Sequence, residues 1–275
     1  MIKKSLGQHF LTDPRILARI VDALEPLPDD QVVEIGAGSG TLTRALAPRV
    51  GRVVAIEKDR SLAEQCKLMN AEHRITNVEV VTGDVLRLDS QLFRHSTFDI
   101  RHSKFVGNIP YYITTPIIEL ALRERPALIV LLVQDEVADR IVSAPGSKVY
   151  GGLSVGAQVE AHVEKVFTVK AGSFTPPPKV HSAVIRLRPR ERPLVAAQDV
   201  PAFRAFVAAC FSLRRKTLRN VLRALTGRPA DVVDEALAQL GLDPRVRAET
   251  LAPERFVALW RWSHERPDLR REGGL

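Results

Sequence analysis

Cysteine is scarce in this chain, which carries only Cys66 and Cys210 among its 275 residues. Two cysteines this far apart favour neither a disulfide framework nor a zinc site, so we expect a reducing compartment. No apolar run reaches the ~18 residues that would span a bilayer, and the lysine-containing start lacks the apolar segment of a secretion signal. We therefore expect a soluble, cytoplasmic protein that binds no membrane.

Positive charge is in excess, with 40 Lys and Arg residues against 32 Asp and Glu residues and a formal net charge of +8. This balance suits a partner that carries phosphates, although a basic enzyme indifferent to nucleic acid fits the charge equally well. Hydrophobic residues make up 45% of the chain. That fraction is ordinary for a folded protein with a core and excludes a disordered chain.

The order of the predicted elements indicates two domains. Strands and helices alternate from about residue 13 to about residue 135, which is typical of a parallel sheet with helices on both faces. The later runs AHVEKVFTVK and HSAVIRLRP have strand character and bring the total to about seven strands. After a proline-rich, charged stretch the pattern is helical only. We predict an α/β domain over residues 1–190 and a small all-helical domain over residues 191–275.

The stretch EIGAGSGTL places three glycines two residues apart between a predicted strand and a predicted helix. Backbone N–H groups of Gly36 and Gly38 can approach an anionic or polar ligand closely in such a loop. The dinucleotide fingerprint G-x-G-x-x-G would need a third glycine where Thr41 stands. A nicotinamide oxidoreductase therefore fits less well, although it stays open as an alternative.

Two acidic residues follow neighbouring strands at the same edge of the predicted sheet. Glu57 ends the second strand, where a carboxylate accepts hydrogen bonds from ribose hydroxyls. A solvated glutamate is the plainer alternative. Asp84 follows the third strand and can accept a hydrogen bond from an adenine amino group. Together with the glycines, these acids predict an adenosine-binding crevice without a diphosphate cradle, which is what S-adenosylmethionine requires.

The stretch VGNIPYYITTPI joins the fourth strand to a helix. The side-chain oxygen of Asn108 and the carbonyl of Pro110 can accept the two hydrogens of an adenine amino group and stabilise the positive charge that grows on N6 during methyl transfer. Tyr111 can stack on a flipped base. The sulfonium already activates the methyl group, so neither a metal ion nor a strong general base is required. An asparagine that caps the next helix is the structural alternative.

Eight segments, in family order from residue 3 to residue 222, resemble class I methyltransferases, and more closely the small-subunit branch of the ribosomal RNA adenine-N6 dimethyltransferases. They are KKSLGQHFLTD, VVEIGAGSGTLT, VVAIEKD, GDVL, VGNIPYYITTPI, SKVYGGLSV, FTPPPKVHSAVIRL and FSLRRKTLRNVL. The resemblance implies a Rossmann-like fold and S-adenosylmethionine as cofactor. It also implies dimethylation of two adjacent adenines in a hairpin loop near the 3′ end of 16S rRNA in the assembling small ribosomal subunit, by an enzyme that we expect to be monomeric.

The resemblance also implies roles for individual residues. It places His9, Leu11, Gly36, Glu57, Asp84 and Asn108 around the S-adenosylmethionine. The family often has asparagine where this sequence has His9. By the same likeness Phe174 would cover the face of the base opposite Tyr111, with core packing as the alternative for this ring.

A basic run in SLRRKTLRN puts four cations within two turns of a predicted helix. They are Arg214, Arg215, Lys216 and Arg219. A solvated helix face is the usual meaning of such a run, but the net charge and the base-modifying motif favour contact with RNA phosphates.

Two further alternatives remain at this stage. The erythromycin-resistance branch modifies large-subunit RNA with the same machinery, although TTPII and SKVYGGLSV resemble the small-subunit branch more. A non-catalytic ribosome-assembly or transcription factor is the other alternative. The intact stretch from Asn108 to Tyr111, together with Glu57 and Asp84, argues for an active enzyme.

Overall fold

The computed structural model describes residues 9–87, 100–213 and 216–264. The chain divides into two compact units, of which the first comprises Met1–Val142 with Ala161–Glu191 and the second comprises Ser143–Glu160 with Arg192–Leu275. The change of unit after residue 191 lies one residue from the boundary expected from the sequence.

One segment belongs to a different unit from the one that the sequence suggested. Ser143–Glu160 was expected in the first domain, but it is part of the second unit. The reason is apolar packing, because Tyr150, Val155 and Val159 are buried in the core that the later helices form.

A seven-stranded sheet and a separate two-stranded pair make up the β-structure of the first unit. The strands are β1 (Phe10–Leu11), β2 (Gln31–Ile35), β3 (Arg52–Glu57), β4 (Val78–Thr82), β5 (Lys104–Asn108), β6 (Leu128–Gln134), β7 (Ala161–Val169), β8 (Phe174–Thr175) and β9 (Ser182–Pro189). The order across the large sheet is β4-β3-β2-β5-β6-β9-β7, and β1 pairs with β8. Strands β2 to β6 pair in parallel, while β9 pairs antiparallel with β6 and β7. The predicted Rossmann-like, mostly parallel sheet is confirmed.

The sheet has a switch point between β2 and β5. The chain runs from β2 outward through β3 and β4, and then returns to pair β5 with the other side of β2, with Glu34 opposite Val106. The loops that follow these two strands therefore diverge and leave a crevice. Ligands of open α/β sheets bind in such a crevice, outside the carboxyl ends of the strands.

The central strands are apolar on both faces because helices cover both sides of a parallel sheet. Residues 128–133 of β6 are all buried, whereas β4 at the edge of the sheet is partly exposed. The helices of this unit within the described residues are α1 (Pro14–Ala23), α2 (Thr41–Leu46), α3 (Arg60–Glu72), α4 (Thr114–Glu124) and α5 (Asp135–Val142). Asp13 caps α1 by accepting a hydrogen bond from the Arg15 N–H at 2.9 Å.

The regular structure in the described part of the second unit is helical, with α6 (Gly152–Gln158), α7 (Val200–Ser212), α8 (Leu218–Thr226), α9 (Ala230–Gln239) and α10 (Pro253–His264). The expected single helix over SLRRKTLRN is wrong, because α7 ends at Ser212, the first residue of this run, and α8 begins within it at Leu218. Thr217 is extended, and Leu218 is fully buried while its N–H donates to the Val246 carbonyl at 2.7 Å. This tertiary contact outweighs the local helical pattern. None of the helices within the described ranges is long and apolar enough to cross a membrane.

Candidate functional site

Two adjoining cavities lie at the carboxyl edge of the sheet in the first unit, and they share Gly36, Asn108 and Pro110. The first cavity is also lined by His9, Leu11, Glu34, Gly38 and Tyr111, among others. The second cavity is also lined by Glu57, Lys58, Asp84 and Tyr112, among others. The ends of the four parallel strands β2, β3, β4 and β5 thus meet at one site, as their common direction predicts, and the segment around His9 joins them there.

The glycine-rich loop after β2 is fastened to β3 by backbone hydrogen bonds. The N–H groups of Gly36 and Ala37 both donate to the carbonyl of Ile56, at 2.9 and 3.1 Å. Gly38 has a φ of 57°, and a Cβ added there would stand 3.3 Å from the ring of Phe10. The loop therefore presents main chain to the first cavity, in a conformation that a larger residue would strain.

Glu57 joins the end of β3 to the glycine loop. One carboxylate oxygen accepts the Gly38 N–H at 2.8 Å and the other accepts the Asp59 N–H at 2.7 Å. The side chain is buried, yet the residue lines the second cavity. Each oxygen keeps a further lone pair for a ligand hydroxyl. Glu57 can thus both fix the loop and accept from a ribose, which extends the role expected from the sequence.

Asp84 lies across the second cavity and is held as an anion by Lys58. The Lys58 ammonium lies 2.8 Å from a carboxylate oxygen of Asp84, and the other oxygen accepts the Leu86 N–H at 3.2 Å. The hydrogen bond from Lys58 lowers the pKa of Asp84 below its usual value. Asp84 is therefore ionised at neutral pH and is suited to accept a hydrogen bond from an amino group.

Asn108 is the last residue of β5 and lies where the two cavities meet. Its amide nitrogen donates to the His9 carbonyl at 3.0 Å, and this bond orients the side chain. The amide oxygen is then the atom left to accept a hydrogen bond from a ligand. The N-terminal segment, although 99 residues away in sequence, thus determines how the asparagine is presented.

Pro110 starts a tight turn directly after this strand. Its φ is −56° and its ψ is 130°, and its carbonyl accepts the Ile113 N–H at 3.1 Å. The carbonyl has a second lone pair, so this turn does not exclude the predicted contact with an amino group. Ile109, between the two acceptors, is buried and its N–H donates to Leu132 of β6. The two acceptors are therefore anchored to the sheet.

Tyr111 is fixed at both its hydroxyl and its ring. The hydroxyl forms a 2.7 Å hydrogen bond with Ser182 of β9, and the ring stacks on His9 with centroids 5.9 Å apart and planes 27° apart. Burial raises the pKa of the Tyr111 hydroxyl, which stays neutral at physiological pH. The aromatic face that the sequence predicted is present at the first cavity, and His9 covers part of it.

Phe174 is buried, and its role opposite Tyr111 stays a prediction. The ring is 3% exposed and belongs to the apolar core of the first unit, as does Leu11, its partner in the β1–β8 pair. Phe174 lines neither cavity. The alternative of core packing describes the observed position, since a large apolar side chain next to Leu11 gains more from burial than from exposure at the cavity.

The basic run is only partly described. Arg214 and Arg215 lie outside the described residues, and Lys216 is exposed. Arg219 donates to both carboxylate oxygens of Asp234, at 2.6 and 2.7 Å. This pairing with an acid of α9 gives Arg219 a structural contact that the sequence pattern did not indicate. Of Lys216 and Arg219, Lys216 is therefore the better candidate for contact with RNA phosphates.

Glu34 is the most unusual group that the sequence analysis did not single out. It lies on β2, is 1% exposed, and accepts a 2.5 Å hydrogen bond from the hydroxyl of Thr43. Burial raises the pKa of Glu34 to about 8. Ser182 and Lys58 were missed as well, because their roles depend on contacts across the fold. Among the described residues no group of three or more His, Cys, Asp or Glu side chains is arranged to hold a metal ion.

Sequence comparison assigns close relatives to this chain. The family model described as ribosomal RNA adenine dimethylase matches residues 1–264. The ribosomal RNA small subunit methyltransferase A of Geobacter metallireducens is 42% identical over 263 residues, which are 94% of each chain. The protein of the same name from Acidobacterium capsulatum is 42% identical over 267 residues, which are 96% of this chain and 92% of the relative.

Two solved structures share the architecture of this chain. A dimethyladenosine transferase from Plasmodium falciparum superposes with a TM-score of 0.77 at 28% identity, over 91% of this chain and 96% of the other. The 23S rRNA methyltransferase ErmE superposes with a TM-score of 0.69 at 30% identity, over 93% of this chain and all of the other. Both similarities extend over nearly the whole length of the chain.

Proposed function

Because the chain belongs to the ribosomal RNA adenine dimethylase family, we propose that it dimethylates N6 of two adjacent adenines in a hairpin loop near the 3′ end of small-subunit ribosomal RNA. Its cofactor is S-adenosylmethionine, the methyl donor of this family. The observation that carries the proposal is the position of Asn108, whose side chain lies where the two cavities meet and has its oxygen left to accept a hydrogen bond.

The relatives favour small-subunit RNA over large-subunit RNA as the substrate. The small-subunit methyltransferases are 42% identical to this chain, whereas the 23S rRNA methyltransferase is 30% identical. Both kinds of enzyme share the fold, so the fold itself does not separate the two substrates. The greater identity supports a small-subunit RNA as the partner.

The residues present fit S-adenosylmethionine. The second cavity offers Glu57 for ribose hydroxyls and Asp84 for the adenine amino group. Gly36 and Gly38 keep the wall of the crevice free of side chains, as close approach of a ligand to the main chain requires. The first cavity begins at Asn108 on the other side, so it is the place for the methionine part of the cofactor.

The proposed chemistry needs positioning more than acid–base catalysis. S-adenosylmethionine supplies a methyl group that its sulfonium already activates, and for this reason the proposal includes no metal ion. Asn108 and Pro110 accept hydrogen bonds from the adenine amino group and stabilise the charge that develops on its nitrogen. Tyr111, held by Ser182, offers an aromatic surface that orients the base.

The proposal is tested by mass spectrometry of ribosomal RNA. Small subunits from cells that lack the protein are incubated with the purified protein and labelled S-adenosylmethionine. We expect two dimethyladenosines in one fragment near the 3′ end of the small-subunit RNA and none in large-subunit RNA treated in parallel. Label in large-subunit RNA alone would contradict the proposed substrate and favour the alternative branch.

Replacing Glu57 with alanine should weaken S-adenosylmethionine binding by about 1 to 3 kcal/mol, because ribose hydroxyls lose their acceptor and the Gly38 N–H loses its partner. Isothermal titration calorimetry measures this loss. The matched control is Glu79→Ala, which removes a glutamate on β4 that pairs with Arg52 outside both cavities. Equal losses of S-adenosylmethionine affinity in the two variants would show that Glu57 does not bind the cofactor.

Neutralising the basic run should weaken RNA binding and leave cofactor binding unchanged. The variant replaces Arg214, Arg215 and Lys216 together with alanine. We expect the log-log salt dependence of binding to an immature small subunit to flatten by ~0.7 to 0.9 for each lost phosphate contact. Binding measured at four or five salt concentrations gives this slope.

The control for this experiment removes the same charge elsewhere. Arg49, Arg74 and Arg123 are exposed residues that precede β3, β4 and β6, so they lie at the edge of the sheet opposite the cavities. Replacing these three with alanine should leave the slope within error of the wild type. If both triple variants flatten the slope equally, the effect is one of net charge and the basic run is not a specific contact.

A further inference from the structure

Tyr112 carries an exposed aromatic ring beside the proposed reaction site. Its exposed fraction is 61%, and every other Phe, Tyr or Trp in the described parts of the chain is buried or half-buried. It directly follows Tyr111, to which the proposed chemistry gives a role, but has no role in that chemistry itself. A ring left in water forgoes the burial and stacking that make aromatic side chains strong contact groups. A planar partner on Tyr112 would recover both.

The turn after Asn108 directs the two tyrosines to different cavities. They begin a 3₁₀ turn over Tyr111–Ile113, and successive side chains of such a turn point about 120° apart. Tyr111 accordingly lines the first cavity and Tyr112 lines the second, while Asn108 and Pro110 line both. The ring of Tyr112 is therefore adjacent to the place where the target base is held, but it does not belong to that place.

Two cations lie beside the exposed ring. The Lys58 ammonium donates to Asp84 at 2.8 Å and has further N–H groups to offer. Lys58 is close enough to Tyr112 and to Arg87 for both to act on its charge. Arg87 has an exposed side chain, and its backbone N–H donates to the Asp84 carbonyl at 2.8 Å. Exposed aromatic rings next to cations are typical of surfaces that bind single-stranded nucleic acid.

The cofactor is a less suitable partner for this ring. In the proposed arrangement Glu57 and Asp84 hold the adenosine inside the second cavity. A ligand held there reaches only the part of Tyr112 that lines the cavity, whereas most of the residue is exposed to solvent. The exposed part is accessible to a planar group that arrives from outside, as a base of the RNA does.

We propose that Tyr112, Lys58 and Arg87 form a binding site for the nucleotide next to the target adenine. The base of this nucleotide stacks on Tyr112, and its phosphate lies against the two cations. The inference rests on the proposed function, whose substrate has two adjacent adenines. One of them occupies this site while the other is methylated, so Tyr112 selects targets that have a second base beside the first.

Steady-state kinetics with immature small subunits test the stacking contact. Tyr112→Ala should raise KM for the particle by about 5- to 100-fold and leave kcat nearly unchanged, because the ring binds substrate without touching a reacting atom. Tyr112→Phe keeps the ring and should restore the wild-type KM. Leu27→Ala is the matched control, since Leu27 is as exposed as Tyr112 but precedes β2, at the edge of the sheet opposite the cavities. It should leave KM unchanged.

Three outcomes of these measurements are distinguishable. An unchanged KM in Tyr112→Ala would overturn the inference. A loss of S-adenosylmethionine affinity that matches the rise in KM, measured by calorimetry, would overturn it as well, because the ring would then bind the cofactor. If the wild-type protein methylates no small-subunit RNA, the proposed function fails together with the inference.

Arg87→Ala separates the phosphate contact from the stacking contact. It should flatten the log-log salt dependence of particle binding by ~0.7 for the one lost contact with a single strand. Tyr112→Ala should instead weaken binding at every salt concentration and keep the slope. Arg123→Ala removes an exposed cation in the last turn of α4 and serves as the control. Equal slopes in Arg87→Ala, Arg123→Ala and the wild type would overturn the proposed phosphate contact.

Removal of a base from the RNA identifies the partner of Tyr112. Small subunits are reconstituted with RNA in which one of the two adjacent adenines is abasic, so that only the other can be methylated. The wild-type protein should bind these particles about as weakly as Tyr112→Ala binds intact particles. Tyr112→Ala should lose no further affinity for the abasic particles, because ring and base contribute to one contact. Losses that add in full would overturn the inference that the neighbouring base stacks on Tyr112.

Discussion

Asn108→Ala is expected to slow methyl transfer by about 10²- to 10³-fold while changing the affinity for S-adenosylmethionine little. The lost group is an acceptor that is needed most as positive charge develops on the adenine nitrogen. Its removal therefore raises the free energy of the transition state more than the free energy of the bound substrate complex. The amide of Asn108 has one fixed partner, the His9 carbonyl. The substitution therefore removes one acceptor and one bond to the N-terminal segment.

Asn108→Asp separates these two contributions. Aspartate keeps an oxygen at the same place but cannot donate to the His9 carbonyl when it is ionised. If the acceptor is what the reaction needs, aspartate should retain more single-turnover activity than alanine. If the bond to His9 is what matters, the two variants should be equally slow. Single-turnover rates at saturating cofactor decide between them, and cofactor affinity is measured separately. A wild-type rate in Asn108→Ala would show that Asn108 has no part in the methyl transfer.

Local patterns were enough to predict the sheet and the centre of the site. All seven strands of the large sheet were identified, because buried parallel strands are apolar runs bounded by turn residues. The positions of Glu57, Asp84 and Asn108 follow from one rule, that the ends of parallel strands meet at one edge. The eight family segments added the identity, and the match of the family model over residues 1–264 confirms it.

Local sequence patterns did not predict the contacts between distant parts of the chain. The two-residue strands β1 and β8 pair across more than 160 residues, and this pairing puts Phe174 beside Leu11 in the core. The hydrogen bond from Tyr111 to Ser182 spans 71 residues. Nothing in the sequence around Tyr111 indicates that Ser182 is its partner. Their contacts depend on register and packing, which single-sequence patterns do not encode.

The basic run shows how tertiary contacts override a helical pattern. Its spacing is helical, yet Leu218 is drawn into the core of the second unit and its N–H bonds to Val246. The chain therefore turns at Lys216 and Thr217, and Arg219 pairs with Asp234. Of the cations expected to contact RNA, Lys216 keeps that role as a prediction with no competing partner among the contacts found for the described residues.

Gly107→Ala should be the most damaging single methyl group that can be added to this site. Gly107 lies on β5, between Val106 and Asn108, where the neighbouring β2 strand approaches closely. An added Cβ would overlap the Ile35 carbonyl oxygen and lie 2.8 Å from Cδ1 of Ile109. The first obstacle is backbone in the middle of a parallel sheet and cannot swing aside as a side chain can. We expect a loss of at least about 2 kcal/mol in the free energy of unfolding.

Function should suffer beyond this loss of stability, because Ile35 leads directly into the glycine loop and Asn108 follows the substituted residue. Pushing the two strands apart moves both the cofactor wall and the acceptor. Gly172→Ala is the matched control, since a Cβ there meets nothing within 4 Å; it should change stability by less than about 0.5 kcal/mol. Urea unfolding, monitored by hydrogen exchange in peptides of the first unit, measures the free energy of unfolding of both variants. Equal stability and equal cofactor affinity in Gly107→Ala and Gly172→Ala would show that β2 and β5 separate easily, and that the close contact of the two strands is not what holds Asn108 in place.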